Sequence, residues 1–208
     1  MHRIYLELGS KRVFACSLDW PGWCRVDKSE ELAVERLLDY APRYAVVAER
    51  AGLAFRPGKV SVTERVKGGA TTDFGAPEAQ PDADAEPYPV KVATRDVKLM
   101  RAAWELFDEV TAASPEELRK GPRGGGRDRD KMVAHVEDAE RNYARQVGVR
   151  HPPYREPGDR DALRAELAEV LGRAWDGTPL GKWAPRYAVR RVTWHVLDHL
   201  WEMQDRSR

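Results

Sequence analysis

The spacing of hydrophobic residues changes along the chain, and this change constrains the fold more than any other feature. Residues 1–66 contain short runs that alternate at a period of two, which is typical of β-strands, and one segment at helical spacing. From residue 92 onward apolar positions recur every three or four residues, which is typical of amphipathic helices. The stretch between them, residues 67–91, is rich in Gly, Ala, Pro and Asp and has neither period. The sequence therefore predicts an α+β protein with a small module at 1–66, a linker at 67–91 and a helical domain at 92–208.

The first module is predicted to be a small antiparallel sheet with one helix. Gly9-Ser10-Lys11 separates two strand-like runs and is typical of a hairpin turn. Asp27 or Ser29 can cap the helix, and Pro42 is expected to kink or divide it because proline has no backbone N–H. In chain order, the predicted elements are strands at 4–8, 12–18 and 24–26, a helix from about 29 to 51, and a returning strand at 59–66.

Two segments of this module carry a family resemblance. The turn Leu18-Asp19-Trp20-Pro21-Gly22-Trp23-Cys24 precedes the helix start Ser29-Glu30-Glu31-Leu32-Ala33. This order resembles the HicB-like antitoxin module, in which a Leu-Pro-Gly type turn leads to a helix with an acidic Glu-Glu start. Two tryptophans and an additional Asp in the turn depart from that pattern. The resemblance implies a βαβ-type scaffold, and an antitoxin role is not carried over with it.

The region from residue 92 is predicted to be an all-α four-helix bundle. Its helices are expected from Thr94 or Asp96 to about Val110, and at 128–147, 159–175 and 185–206; four amphipathic helices of this length suffice for one core. The glycine-rich stretch 121–126 is predicted to be a loop. It does not match a phosphate-binding loop, because no strand precedes it and no Lys-Ser or Lys-Thr pair follows.

Three histidines occupy inward-facing positions of the predicted helices. His195 and His199 lie on the fourth helix, about 40° apart on one face, so their imidazoles can converge on a single ion. His135 lies in the middle of the second helix and can supply a third imidazole. Three protein ligands leave an ion an open position, which is typical of a catalytic metal site. The alternative is that all three are core or surface residues without an ion.

Charged residues near these histidines have two interpretations each. Glu202 and Asp198 could be acceptors for the histidine ring N–H groups or a base on metal-bound water, or they belong to a solvated acidic face. Arg190 and Arg191 could bind an anionic group of a substrate or cofactor, or lie on the surface. The residue after His195 is Val196, where a zinc-protease helix needs Glu, so peptide hydrolysis by that route is not expected.

The helical region also resembles a known superfamily. His135 on the second helix, and Trp194-His195, Asp198-His199, Trp201-Glu202 and Asp205-Arg206 on the fourth, look like the DinB-like four-helix-bundle superfamily over residues 92–206. That superfamily includes mycothiol-, bacillithiol- and glutathione-dependent S-transferases and isomerases. The resemblance implies a divalent ion on His135, His195 and His199, zinc or nickel first and iron or manganese next. It further implies a low-molecular-weight thiol that the ion activates for attack on an electrophile.

Composition limits the partners. With 35 basic and 34 acidic residues the net charge is +1, so nucleic acid is not an expected partner. No apolar run suggests a membrane span or a signal peptide, and we expect a cytoplasmic homodimer with a small-molecule substrate. Cys16 and Cys24 are then expected to be reduced thiols. The alternative function is a non-catalytic metal-binding or regulatory protein whose N-terminal module binds a partner.

Overall fold

The computed structural model of the protein is α+β and describes residues 1–56, 58–121 and 125–207, without the side chain of Pro157. A mixed sheet at the N-terminus is followed by helices, as the change in hydrophobic spacing predicts. The strands are β1 (His2–Leu8), β2 (Val13–Ser17), β3 (Cys24–Asp27) and β4 (Val60–Lys67). The helices are α1 (Glu30–Asp39), α2 (Ala41–Arg50), α3 (Ala70–Phe74), α4 (Val90–Ala113), α5 (Arg129–Arg145), α6 (Pro157–Leu171) and α7 (Pro185–Arg206), with a 3-10 turn at Asp82–Asp84.

The sheet has the order β3-β2-β1-β4. The pairs β1–β2 and β2–β3 are antiparallel, whereas β4 runs parallel to β1. The prediction of an antiparallel sheet is therefore wrong for its last strand. β4 follows β3 through a crossover formed by α1 and α2, and such a crossover places the returning strand parallel to the strand before it. Because β3 and β1 are both antiparallel to β2, β4 is also parallel to β1.

The single helix predicted for the module is two helices. Ser29 caps α1, since its hydroxyl accepts a hydrogen bond from the Leu32 backbone N–H at 3.3 Å. Pro42 lies in the first turn of α2, where its missing N–H costs no intrahelical hydrogen bond, so the proline divides the segment at Tyr40.

Both faces of β1 and β2 are covered. Ile4 and Leu6 pack in a hydrophobic core that also contains residues of α1, α2 and the C-terminal helices. On the opposite face, Tyr5 and Cys16 pack in a second cluster with Trp194 of α7. The sheet therefore lies between α1–α2 on one side and the first half of α7 on the other.

The predicted linker, 67–91, contains α3 and the 3-10 turn and packs on the second face of the sheet. The Thr72 hydroxyl donates to buried Glu7 at 2.5 Å, and the Asp73 carboxylate accepts from the backbone N–H groups of Ser10 and Lys11. Asp84 is buried and pairs with Arg190 of α7. These contacts hold the stretch in place although its sequence has no period.

The four long C-terminal helices pack on one another: α7 contacts α4, α5 and α6, and α6 also contacts α4 and α5. α7 has the predicted bounds. α4 begins at Val90, before the predicted start near Thr94, and α6 ends at Leu171, before the predicted end at residue 175. Assignment of these helices to a DinB-like bundle stays a prediction.

Of the predicted glycine-rich loop, residues 122–124 lie outside the described residues. No helix within the described ranges has both the length and the apolar composition needed to cross a bilayer.

Candidate metal centre

The three predicted histidines meet where α5 packs against α7. His195 and His199 lie one turn apart on α7, and His135 faces them from α5. One ring nitrogen from each lies within 4.8 Å of the other two, close enough to hold a metal ion. The ring centroids are 4.7 to 5.0 Å apart. In the part of the chain that the structure describes, this is the one such cluster of three or more His, Cys, Asp or Glu side chains.

The closest approach in the cluster is between two imidazole nitrogens. The Nε2 atoms of His135 and His195 are 3.2 Å apart. Two nitrogens bound tetrahedrally to zinc at 2.0–2.1 Å are separated by about 3.4 Å. The observed distance therefore fits an ion between the two rings. Without an ion, one ring must carry its proton on Nε2 and donate it to the other.

Two of the three imidazoles have a lowered pKa. Burial, reinforced by His199, lowers the pKa of His135 to about 4. Burial, reinforced by His199 and His135, lowers the pKa of His195 well below its ordinary value of 6.5. His195 and His199 are only 6% and 8% exposed, whereas His135 is half-buried. Neutral imidazole is the form that binds metal, so these two ligands need not lose a proton at pH 7.

Glu202 orients His199. Its carboxylate accepts a hydrogen bond from His199 Nδ1 at 3.0 Å and also pairs with Arg206 at 3.0 Å. The hydrogen bond from His199 lowers the pKa of Glu202, which stays ionised. A proton on Nδ1 leaves Nε2 of His199 with a free lone pair for a metal. This carboxylate–histidine arrangement is common behind metal-bound imidazoles.

His195 has one nitrogen that the described residues leave without a partner. Its Nδ1 is buried and forms no hydrogen bond to any of them. Leaving a buried polar atom unpaired costs about 1–3 kcal/mol, and such atoms concentrate at functional positions.

The other predicted site residues do not all reach the cluster. Asp198 accepts a hydrogen bond from Arg25 of β3 at 2.9 Å and pairs there instead. Arg190 is buried and bidentate on Asp84, so its charge is paired inside the protein rather than with an external anion. Arg191, one turn before His195, donates to the Pro77 carbonyl and has no carboxylate partner among the described residues.

Two aromatic residues that the sequence did not predict as site residues lie beside the cluster. The Tyr143 ring lies 5.6 Å from the His195 ring, and the Trp183 ring lies 5.3 Å from Tyr143. The Arg191 guanidinium stands 5.2 Å from the centre of the Tyr143 ring. Tyr143 follows His135 by two helical turns, a spacing that places both on one face. Trp183 precedes α7 in a segment without period, so no comparable signal marks it.

Comparison of the chain with protein-family models, curated proteins and solved structures found no match. The DinB-like and HicB-like resemblances therefore rest on the motifs alone.

Proposed function

We propose that the protein binds one divalent metal ion through His135, His195 and His199 and uses the ion to act on a small molecule. The observation that carries the proposal is the convergence of three imidazole nitrogens within 4.8 Å, two of them on rings whose pKa is strongly lowered. Three protein ligands leave coordination positions for a substrate, as in catalytic zinc sites. His135 is half-buried and the other two are buried, so His135 is the most exposed member of the cluster.

The donor set favours some metals over others. Imidazole nitrogen suits zinc, nickel, copper and iron, whereas manganese and magnesium prefer oxygen ligands. No thiolate or carboxylate oxygen belongs to the cluster of three. Zinc or nickel is therefore the proposed ion, with iron next and manganese least suited.

The proposed reaction class is thiol-dependent S-transfer, as the DinB-like resemblance implies. The ion, when bound, lowers the pKa of a thiol or of water so that the deprotonated form exists near pH 7. Glu202 holds the His199 ring in the tautomer that presents Nε2. Arg191 lies on the same face of α7, one turn from His195, and supplies a cation for an anionic group of the thiol or substrate.

The test is a thiol-transfer screen of the zinc- and nickel-loaded protein with glutathione, bacillithiol and mycothiol against electrophiles such as chlorodinitrobenzene. We expect metal-dependent transfer that His195→Ala abolishes. The matched control is His151→Ala, because His151 lies outside the cluster and pairs with Glu166. Metal binding without transfer by any thiol would refute the S-transferase proposal and favour the non-catalytic alternative.

A further inference from the structure

Cys16 on β2 and Cys24 on β3 lie directly opposite each other in the sheet, and their Sγ atoms are 2.7 Å apart. The neighbouring pair is hydrogen-bonded, since the Ser17 N–H donates to the Trp23 carbonyl at 2.9 Å. Cys16 and Cys24 therefore occupy a non-hydrogen-bonded position, where opposite Cα atoms are about 4.5 Å apart. That spacing lies within the range of about 4.4–6.8 Å seen in disulfides.

A small cavity adjoins the two sulfurs. It has a volume of about 20 Å³ and is lined by both cysteines, Arg190, Arg191 and Trp194, among others. About 10–15 Å³ is enough to hold one water. The cavity therefore admits a molecule of the size of water or hydrogen peroxide, and it excludes a tripeptide such as glutathione.

The environment of the thiols distinguishes them. Burial and the contact with Cys16 raise the pKa of Cys24 well above its ordinary value, so Cys24 keeps its proton at neutral pH. Both cysteines line the cavity together with the guanidinium groups of Arg190 and Arg191. Cys24 keeps its proton and is therefore placed to react second.

We propose that Cys16 and Cys24 are a peroxide-reactive dithiol that closes to a disulfide across β2 and β3. The Cys16 thiol attacks one oxygen of hydrogen peroxide, the O–O bond breaks, and the leaving hydroxide takes up the thiol proton as water. The Cys24 sulfur then attacks the sulfenic sulfur of Cys16. The S–O bond breaks, and the second hydroxide leaves as water with the Cys24 proton. The two thiols lose two electrons in total, and the peroxide gains them.

The experiment treats the reduced, folded, full-length protein with increasing hydrogen peroxide and follows thiol titre and peptide masses. Met1 is 86% exposed, so its conversion to the sulfoxide reports the peroxide dose within the same sample. We expect both thiols to disappear together in one intramolecular disulfide before Met1 is fully oxidised. We further expect oxidised glutathione to react only after the protein is unfolded in denaturant.

Single variants separate the two roles. In Cys24→Ser the sulfenic acid of Cys16 has no resolving thiol and should form an adduct when the peroxide-treated protein is unfolded in denaturant that contains dimedone, whereas Cys16→Ser should give no adduct; circular dichroism before the treatment checks that both fold. The wild-type titration is decisive on its own if either variant fails to fold. The proposal is overturned if both thiols survive complete oxidation of Met1, or if oxidised glutathione reacts with the folded protein as readily as peroxide does.

Discussion

His135 Nε2 and His195 Nε2 lie 3.2 Å apart, although 60 positions separate the two residues in the chain. The packing of α5 against α7 produces this contact, because each histidine lies on the face that its helix turns toward the other. With His199 one turn further along α7, the three imidazoles lie close enough to hold a metal ion. The predictions below test the site, its support and the packing around it.

Glu202→Gln is expected to weaken metal binding without unfolding the protein. The amide carries no charge and holds the His199 Nδ1–H less strongly than the carboxylate, so the ring loses its fixed tautomer. Loss of such a partner typically reduces metal affinity about 10- to 100-fold. Competition with a chromophoric chelator measures the change. Asp198→Asn is the matched control, since Asp198 pairs with Arg25, and it should leave the affinity unchanged.

Asp84→Ala is expected to destabilise the protein strongly. Arg190 and Asp84 are both buried, and removal of one partner of a buried ion pair costs about 3–5 kcal/mol because the other charge stays buried and unpaired. The exposed pair Arg3–Asp19 is the comparison, and Arg3→Ala should cost less than about 1 kcal/mol. Urea denaturation measures both. Equal losses for the two variants would show that Arg190 and Asp84 are not buried together.

Gly22→Ala and Gly52→Ala should differ although both glycines have positive φ, at 85° and 69°. A side chain in this left-handed region costs about 1–2 kcal/mol at either position. At Gly22 a Cβ would also lie 2.7 Å from Thr193 and 2.8 Å from Leu197, whereas nothing lies within 4 Å at Gly52. Overpacking adds about 1–3 kcal/mol at Gly22. Thermal melts of both variants test the difference, and equal melting temperatures would contradict the close packing of the turn on α7.

Asp73 should make the stability of the protein pH-dependent. Hydrogen bonds from the Ser10 hydroxyl and the Lys11 backbone lower the pKa of Asp73 below its ordinary value of 3.8. A carboxyl with a lowered folded pKa stabilises the fold above pH 3.8, and this contribution is lost as the pH falls through the folded pKa. Asp73→Asn should therefore be less stable than wild type at pH 7. The difference should shrink as urea unfolding is repeated below pH 3.8, and a constant difference would exclude this role.

The sequence predicts best those helices whose apolar residues recur at regular spacing. α7 was predicted with its bounds because its apolar positions recur without interruption, and the same periodicity placed all three histidines on inward faces. Glu202 follows His199 by three residues, a spacing that brings side chains together on a helix, so its position beside the cluster was foreseeable.

Other features depend on contacts that local sequence does not encode. Alternation predicts β4 as a strand but does not state its direction, and the crossover through α1 and α2 makes it parallel to β1. Asp84 lies in a stretch without period, so nothing marked it as the buried partner of Arg190. For the same reason the sequence offers anion binding or the surface for both Arg190 and Arg191, whereas Arg190 pairs with Asp84 and Arg191 stands over Tyr143, beside the histidines.

Elemental analysis of the purified, untagged protein tests the central claim most directly, with the His135→Ala, His195→Ala, His199→Ala triple variant measured in parallel. The account predicts close to one equivalent of zinc, nickel or iron per wild-type chain and none in the variant. Circular dichroism of the variant confirms that the loss is not a loss of fold. A wild-type protein that carries no metal and does not take up added zinc or nickel would contradict the account, as would a variant that retains the metal.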